Sequence, residues 1–319
     1  MKLLVVGAAG QLGQNLVLQG QEAGFHVLGT YNSRRPVGGA ISTEPLDKTD
    51  ATAVRRVISG FGPNVVVDTG ALHNVDYCES HSSDAYRVNR DGTSYLAKAT
   101  LDAGGRLVFV STDFVFDGRT KRPYAETDSP NPQSEYARSK LAGEQATLDT
   151  SPDNLVVRPS VIYSWLATGQ RAESSSGKGL NFGTWLVEEV ARGRPVRIVQ
   201  DQIASPTLAR DLARAILALV HADARGLFHT AGATAINRYE FSRKLVRRLG
   251  LDDDLVHPVS TAELSQKAVR PADSSLDSSK FSGATRSRML DLEEALDQFA
   301  ADFESDSGTS ALRSKNRTP

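Results

Sequence analysis

The sequence predicts an α/β protein, a doubly wound parallel sheet followed by a smaller, mixed C-terminal portion. Three observations predict it. Short continuous apolar runs alternate with segments of helical period through the first half of the chain, the first run passes directly into a glycine turn, and the alternation weakens after Arg158. A strand covered by helices on both faces reads as an unbroken apolar run, and strand-helix alternation is what parallel βαβ units require.

The first strand is KLLVV, residues 2–6. From Gln11 the period changes: Leu12, Leu16, Val17 and Ala23 recur at helical spacing, and Gly24 closes the segment. Phe25 to Gly29 reads as the second strand. Further apolar runs at Val65 to Val67, Arg106 to Val110 and Asn154 to Val157 are separated by helical patterns around residues 51–60, 83–103 and 135–149. Residues 168–179, TGQRAESSSGKG, read as a long loop. Helices are expected around 182–192, 207–221 and 238–249, with short strands near Val196 to Val199 and Leu227 to His229. The expected organisation is a first domain over residues 1–160, interleaved with later segments near 195–230, a smaller portion over 161–303, and a polar, disordered tail over 304–319.

Composition excludes several classes. The chain has 319 residues with 37 basic and 38 acidic side chains, a formal charge of −1, so no global field draws it to nucleic acid or an anionic membrane. Cys78 is the single cysteine, which rules out an intrachain disulfide and a cysteine-built metal site, and the six histidines show no ligand spacing. No apolar run approaches the roughly 20 residues that span a bilayer, and the first run meets Gly7 too soon for a signal peptide. The expectation is a cytoplasmic protein with no metal site legible in the sequence and no nucleic acid or membrane partner; a divalent-ion requirement and the assembly state, a homo-oligomer included, are left open.

Gly7, Gly10 and Gly13 stand between the first strand and the first helix. Glycines there let the backbone turn tightly, let a pyrophosphate approach without a Cβ in the way, and aim helix N-terminal amides at its charge. The spacing alone is a weak signal; its position directly after a strand and opening a helix makes it a Rossmann-type dinucleotide site. Cofactor choice is normally read at the end of the second strand, where an acid would accept a ribose 2′-hydroxyl. This chain has Thr30-Tyr31-Asn32-Ser33-Arg34-Arg35 instead. Two guanidinium forks suit a 2′-phosphate, so NADP(H) is preferred and NAD(H) stays admissible; a solvated basic turn is the plain alternative. Asp47 falls where a third strand could end beside the adenine, or caps a helix.

Tyr136 and Lys140 share one face of the helix expected over 135–149. A phenol titrates near 10, and a neighbouring ammonium would favour its ionised form. Upstream, Arg106 to Val110 runs into Ser111-Thr112-Asp113, which puts hydroxyls at the carboxyl end of a strand beside the expected cofactor crevice.

Here the chain resembles the extended short-chain dehydrogenase/reductases, and within them the dTDP-4-dehydrorhamnose reductase family. The resemblance covers most of residues 1–280: GAAGQLG (7–13), VDYCE (75–79), Val88-Asn89, STDFVFDG (111–118), the Tyr136/Lys140 pair followed by Gly143-Glu144, Asn181-Phe182, DQIASPT (201–207) and RPADSSLDSSK (270–280). The resemblance implies reduction of a 4-keto-6-deoxy nucleotide sugar by hydride from a nicotinamide. Tyr136 would protonate the C4 oxygen, Lys140 would lower the tyrosine pKa and hold the nicotinamide ribose, and Thr112 would bond the sugar oxygen. It further implies that Asp113 contacts the sugar, that Gly10, Gln11 and Leu12 meet the pyrophosphate, that Gly70, Ala71 and Leu72 meet the cofactor, and that Val110 and Ser111 line its nicotinamide side.

Two departures stand out. Where the family carries an aromatic residue near the sugar, this chain reads Arg158-Pro159-Ser160-Val161-Ile162-Tyr163, with Val161 at the matched position and Trp165 nearby. The loop before Asn181 is also long enough to act as a lid or an interface. Elsewhere, Asp76 and Glu79 have capping-box spacing, Cys78 and His73 read as structural, and Asp252 to Asp254 as a solvated turn. Two other functions stay open: a noncatalytic NADP-binding regulatory subunit like the methionine adenosyltransferase beta subunit, and a nucleotide-sugar epimerase or dehydratase. Retention of Thr112, Tyr136 and Lys140 together argues against the first, and the arginine pair against the second.

Overall fold

The computed structural model describes residues 1–33, 35–36, 42–165 and 181–306. The first part runs β1 (Lys2–Val6), α1 (Gln11–Glu22), β2 (His26–Tyr31), β3 (Ser42–Pro45), α2 (Ala51–Phe61), β4 (Val65–Asp68), α3 (Val75–Ser80), α4 (Ser82–Tyr86), a π-helical turn (Arg87–Gly92), α5 (Thr93–Asp102), β5 (Arg106–Val110), α6 (Glu135–Thr150) and β6 (Leu155–Arg158). It continues through β7 (Ile162–Tyr163), α7 (Phe182–Ala191), β8 (Val196–Val199), β9 (Ile203–Ala204), β10 (Thr207–Leu208), α8 (Ala209–His221), β11 (Gly226–His229), β12 (Ile236–Asn237), α9 (Arg238–Arg248), β13 (Val256–Val259), α10 (Ser279–Thr285) and α11 (Leu292–Ser305).

Seven parallel strands form the central sheet in the order β11-β6-β5-β4-β1-β2-β3. Successive side chains of a strand point to opposite faces, and β1 uses both. Leu3 and Val5 pack with Leu16 and Val17 of α1 and Leu212 and Ile216 of α8, while Leu4 and Val6 pack with Val54, Val57 and Ile58 of α2 and Leu96 of α5. Both faces are therefore covered. The strand order reverses at β1, and a crevice opens at the carboxyl ends there.

A second core joins Leu186, Val187 and Val190 of α7, Phe241 and Leu245 of α9, and Leu296 and Phe299 of α11. The structure redraws the expected interleaving at one point. Val196–Val199 pairs with β13 and packs in this second core, whereas α8 and β11 pack with the large sheet, joined by Phe281 of α10. Thr207 and Leu208 form a short strand beside β7 rather than the first turn of α8. The helical pattern at 83–103 is broken by the π-helical turn. Glu304 and Ser305 belong to α11 and not to a tail; the rest of the expected tail from residue 307, and the loop at 168–179, lie outside the described residues. Asp252 caps a short 3-10 turn, and Asp253 takes ion pairs from Arg243 and Arg247, so that acidic run is a paired turn rather than a purely solvated one. No helix among the described residues is long and apolar enough to cross a membrane, and no three acidic, histidine or cysteine side chains among them gather to hold a metal.

Candidate active site

A cleft of about 780 Å³ runs along the carboxyl ends of the sheet and is walled by the glycine turn, the exits of β4 and β5, α6, and residues of the smaller portion. Gly7 takes φ +86°, and a Cβ on it would lie 2.7 Å from the Thr69 hydroxyl. A Cβ on Gly13 would lie 2.2 Å from the Gly7 carbonyl oxygen, so these two glycines are fixed by the turn itself. Gly10 differs: its backbone is extended and a Cβ would find ordinary contact, so its bare surface is left for what approaches the helix end. Among the described residues Gly10 offers α1 no side-chain cap, and the first amides of a helix lack partners within it. Bare backbone and free amides suit a pyrophosphate. Gln11 lines the cleft and crosses to the smaller portion, donating to the Ile162 carbonyl at 3.2 Å and accepting from Ser164 at 2.9 Å. Leu12 also lines it but is mostly buried in the core.

Gly70, Ala71 and Leu72 form the cleft floor beyond β4. Leu72 is clamped at both peptide groups by Asn89 in the π-helical turn, its N–H donating to Oδ1 at 2.9 Å and its carbonyl accepting from Nδ2 at 3.1 Å. Asp47 stands at the rim with Oδ1 accepting from the Thr49 N–H and hydroxyl, and the cap of α2 is Asp50. Arg34 lies outside the described residues. Arg35 is exposed beyond the cleft-lining Asn32 and Ser33, its Nε donating to Thr43 on β3 at 3.0 Å.

Thr112, Tyr136 and Lys140 do converge on the cleft. Ser134 caps α6 by accepting from the Ala137 N–H, and Glu79 accepts from the Glu135 N–H, which sets the helix start one turn ahead of Lys140. The Thr112 hydroxyl lies near enough to the Tyr136 phenol to favour its ionised form, donates to Asp113 at 3.1 Å and accepts from the Phe114 N–H at 3.2 Å. Lys140 is buried, donates to the Val110 carbonyl at 2.6 Å and lies 4.1 Å from the centre of the Phe109 ring. Here the structure corrects the expected electrostatics. Burial raises the Tyr136 phenol well above its ordinary value, Thr112 lowers it in part, and Lys140 is not among the groups acting on it. Burial also lowers Lys140 itself, to about 7. Ser111 lines the cleft, yet its hydroxyl is committed to Glu144, which is in turn held by Arg158.

The far wall carries residues that the sequence reading did not single out for the site: Phe182, Trp185 and Arg238. The Arg238 guanidinium lies 4.7 Å over the Phe182 ring, with no carboxylate ion pair among the described residues. Burial lowers its pKa, and the Asp113 charge opposes that. Trp185 is an exposed tryptophan on α7, and of this wall only Phe182 fell within the stretches that carried the family resemblance. Trp165, by contrast, is turned into the second core against Phe299 and Phe303. Val161 lines the cleft at φ +41°, a strained setting for a β-branched residue. Asp113 reaches the cleft lining but is buried, and its carboxylate accepts from Ser160 at 2.8 Å and Ser274 at 2.6 Å, so it supports the site from beneath. Desolvation raises its pKa.

One bland reading also changes. Asp76 and Glu79 form no capping box: Asn74 caps α3, Asp76 takes a bidentate ion pair from Arg270, and Glu79 serves α6. Arg270 holds the Asp76 carboxyl at about 2. His73 is exposed at the cleft rim, its Nδ1 3.5 Å from the Ala71 carbonyl oxygen. Cys78 is buried and its thiol pushed up to about 11 by that burial.

Fold and cleft together define an extended short-chain dehydrogenase/reductase, an NAD(P)-dependent oxidoreductase. Within that class the chain belongs to the family described as RmlD substrate binding domain, whose model matches residues 1–305. It is 38% identical over 285 residues to the dTDP-4-dehydrorhamnose reductase of Mycobacterium tuberculosis (strain ATCC 25618 / H37Rv), covering 88% of this chain and 86% of that one. Its fold is similar to that of a dTDP-4-dehydrorhamnose reductase from Clostridium acetobutylicum ATCC 824, with a TM-score of 0.80 and 30% identity over 95% of this chain and 100% of that one. It is similar also to the Bacillus anthracis dTDP-4-dehydrorhamnose reductase in complex with NADP, with a TM-score of 0.79 and 28% identity over 94% and 99% of the two chains.

Proposed function

We propose that the protein reduces the keto group of a 4-keto-6-deoxy nucleotide sugar with NADPH as the preferred reductant. One observation carries the reading. A single cleft is lined by the bare glycine turn, by the Tyr136 and Thr112 hydroxyls, and by the Arg238 guanidinium over Phe182. The turn suits a dinucleotide, the hydroxyl pair a carbonyl oxygen, and a cation backed by aromatic rings a nucleoside diphosphate. The names and identities of the relatives support the same substrate class.

The nicotinamide would supply the hydride. Tyr136 stays neutral across the working pH range because burial raises its pKa, so it carries the proton that the carbonyl oxygen takes up as that oxygen becomes a hydroxyl. Thr112 would turn its single proton from Asp113 to the same oxygen and so fix its direction. Lys140, whose ammonium sits at the end of β5, would bind the ribose hydroxyls next to the reacting ring. Asp113 keeps Thr112 in place from below.

The test is direct: purified protein, NADPH and a dTDP-4-keto-6-deoxy sugar, with loss of reduced-nicotinamide absorbance as readout. Turnover with formation of the dTDP-6-deoxy sugar is expected. Tight NADPH binding with no turnover would leave a nucleotide-holding subunit instead. Cofactor choice gives a second expected result. Replacing Arg35 by Ala weakens NADPH about three- to tenfold, the effect of one lost charge-assisted contact at an exposed position, and leaves NADH unchanged. Equal losses for both cofactors, measured by fluorescence titration, would remove Arg35 from the 2′-phosphate site.

A further inference from the structure

Two ammonium groups lie buried at the carboxyl ends of neighbouring strands. Lys140 sits at the end of β5 on the Val110 carbonyl. Lys48, from the turn after β3, sits at the end of β4, where Nζ donates to Asp68 Oδ2 at 2.6 Å, to the Gly70 carbonyl at 2.7 Å and to the Thr93 hydroxyl at 3.2 Å. Asp68 is nearly inaccessible, and its Oδ1 accepts from the Gly70 N–H at 3.1 Å while Oδ2 also accepts from Thr93 at 2.9 Å. Both peptide groups of Gly70, a residue of the cleft floor, are thus held by one ion pair. The lysine stem runs through a slot that only glycine leaves open: a Cβ on Gly92 would lie 2.9 Å from Lys48 Cγ and 3.1 Å from its carbonyl oxygen. Burying such a pair is a poor route to stability, since apolar residues of similar volume are often equal or better. The pair's placement beside Lys140 offers another reason for it.

The charged and titratable groups that face Lys140 come from several elements. Lys48 and Asp68 lie across β4, Glu144 lies one turn along α6 with Arg158 of β6 bonded to it, and Tyr136 lies one turn back. Burial lowers the Lys140 pKa most, Lys48 lowers it further, and Asp68 and Glu144 raise it.

We propose that Lys48 and Asp68 are a positioning pair for the reductase reaction, holding Gly70 against the cofactor and setting, from the neighbouring strand end, the field on the Lys140 ammonium. The proposal rests on the reading of the cleft as a reductase site. The full-length protein labelled with 13Cε-lysine tests it by NMR, the Lys140 resonance being assigned by its loss in Lys140→Arg. Asp68→Asn removes an anion that favours the charged form, so the Lys140 titration midpoint falls, by about one pH unit. Lys48→Met removes a cation that opposes it, so the midpoint rises. The double variant leaves no unpaired charge in the slot, folds where either single variant fails to, and titrates above Asp68→Asn or below Lys48→Met.

The pH profile of kcat/KM moves in the same opposite senses. A purely structural pair would lower Tm in both single variants without separating their midpoints. Midpoints that move together, or that do not move, overturn the proposal. An enzyme inactive on every keto sugar whose midpoints still separate keeps the electrostatic pair and overturns the reductase reading alone.

Discussion

Tyr136→Phe is expected to lower kcat by about 100- to 10,000-fold, the range that a positioned general acid supplies, while NADPH still binds. On the proposed reading the phenol hydroxyl supplies the proton: burial keeps it protonated, whereas burial lowers Lys140 to about 7 and its ammonium is occupied by the Val110 carbonyl. The substitution is gentle to the fold. The ring keeps its edge contact with Phe114, 6.3 Å between centroids at 80°, and Thr112 keeps its bonds to Asp113 and to the Phe114 N–H. Tm should therefore stay near that of the parent protein. Steady-state turnover together with NADPH titration checks the split, and a variant within about fivefold of the parent in kcat would put the proton elsewhere.

The sheet and the glycine turn were legible because each follows from a local rule. Unbroken apolar runs such as Val65 to Val67 have one physical reading when helical segments lie on either side, and Gly7 and Gly13 mark backbone approaches that no side chain permits. Tyr136 and Lys140 were found as a pair because helical spacing is a property of the chain alone. Their electrostatics were not, because desolvation depends on neighbours from other elements: Phe109, Lys48 and Asp68 reach Lys140 across the sheet. The far wall escaped for the same reason. Arg238 opens α9 more than 50 residues after Phe182, and nothing in either segment announces that the two stack. Asp76 and Glu79 show how spacing can mislead: capping-box distances were present, but Arg270 and the start of α6 offered each carboxylate a longer-range partner.

Beneath the cleft, Arg158→Met is expected to cost about 3–5 kcal/mol of stability, because it strands a buried carboxylate. Arg158 and Glu144 are 2% and 3% exposed and meet through two parallel contacts, Nε to Oε1 at 2.8 Å and Nη2 to Oε2 at 2.6 Å. Without the guanidinium, Glu144 would keep only the Ser111 hydroxyl. The guanidinium also covers the Phe116 ring at 5.1 Å, packing that methionine replaces in part. Because the pair ties β6 to α6 one turn beyond Lys140, and Ser111 ties the exit of β5 to the same carboxylate, the loss should loosen Lys140 and raise the KM for NADPH as well as lower the denaturation midpoint. The double variant Arg158→Met/Glu144→Leu removes the stranded charge and should recover most of the lost stability, since the desolvation cost of a buried pair rivals its attraction. Urea denaturation of the two variants decides the matter: a single substitution that costs under about 1 kcal/mol, or a double one no more stable than the single, would mean that water reaches Glu144 and that the pair is not what fastens α6 beneath the cleft.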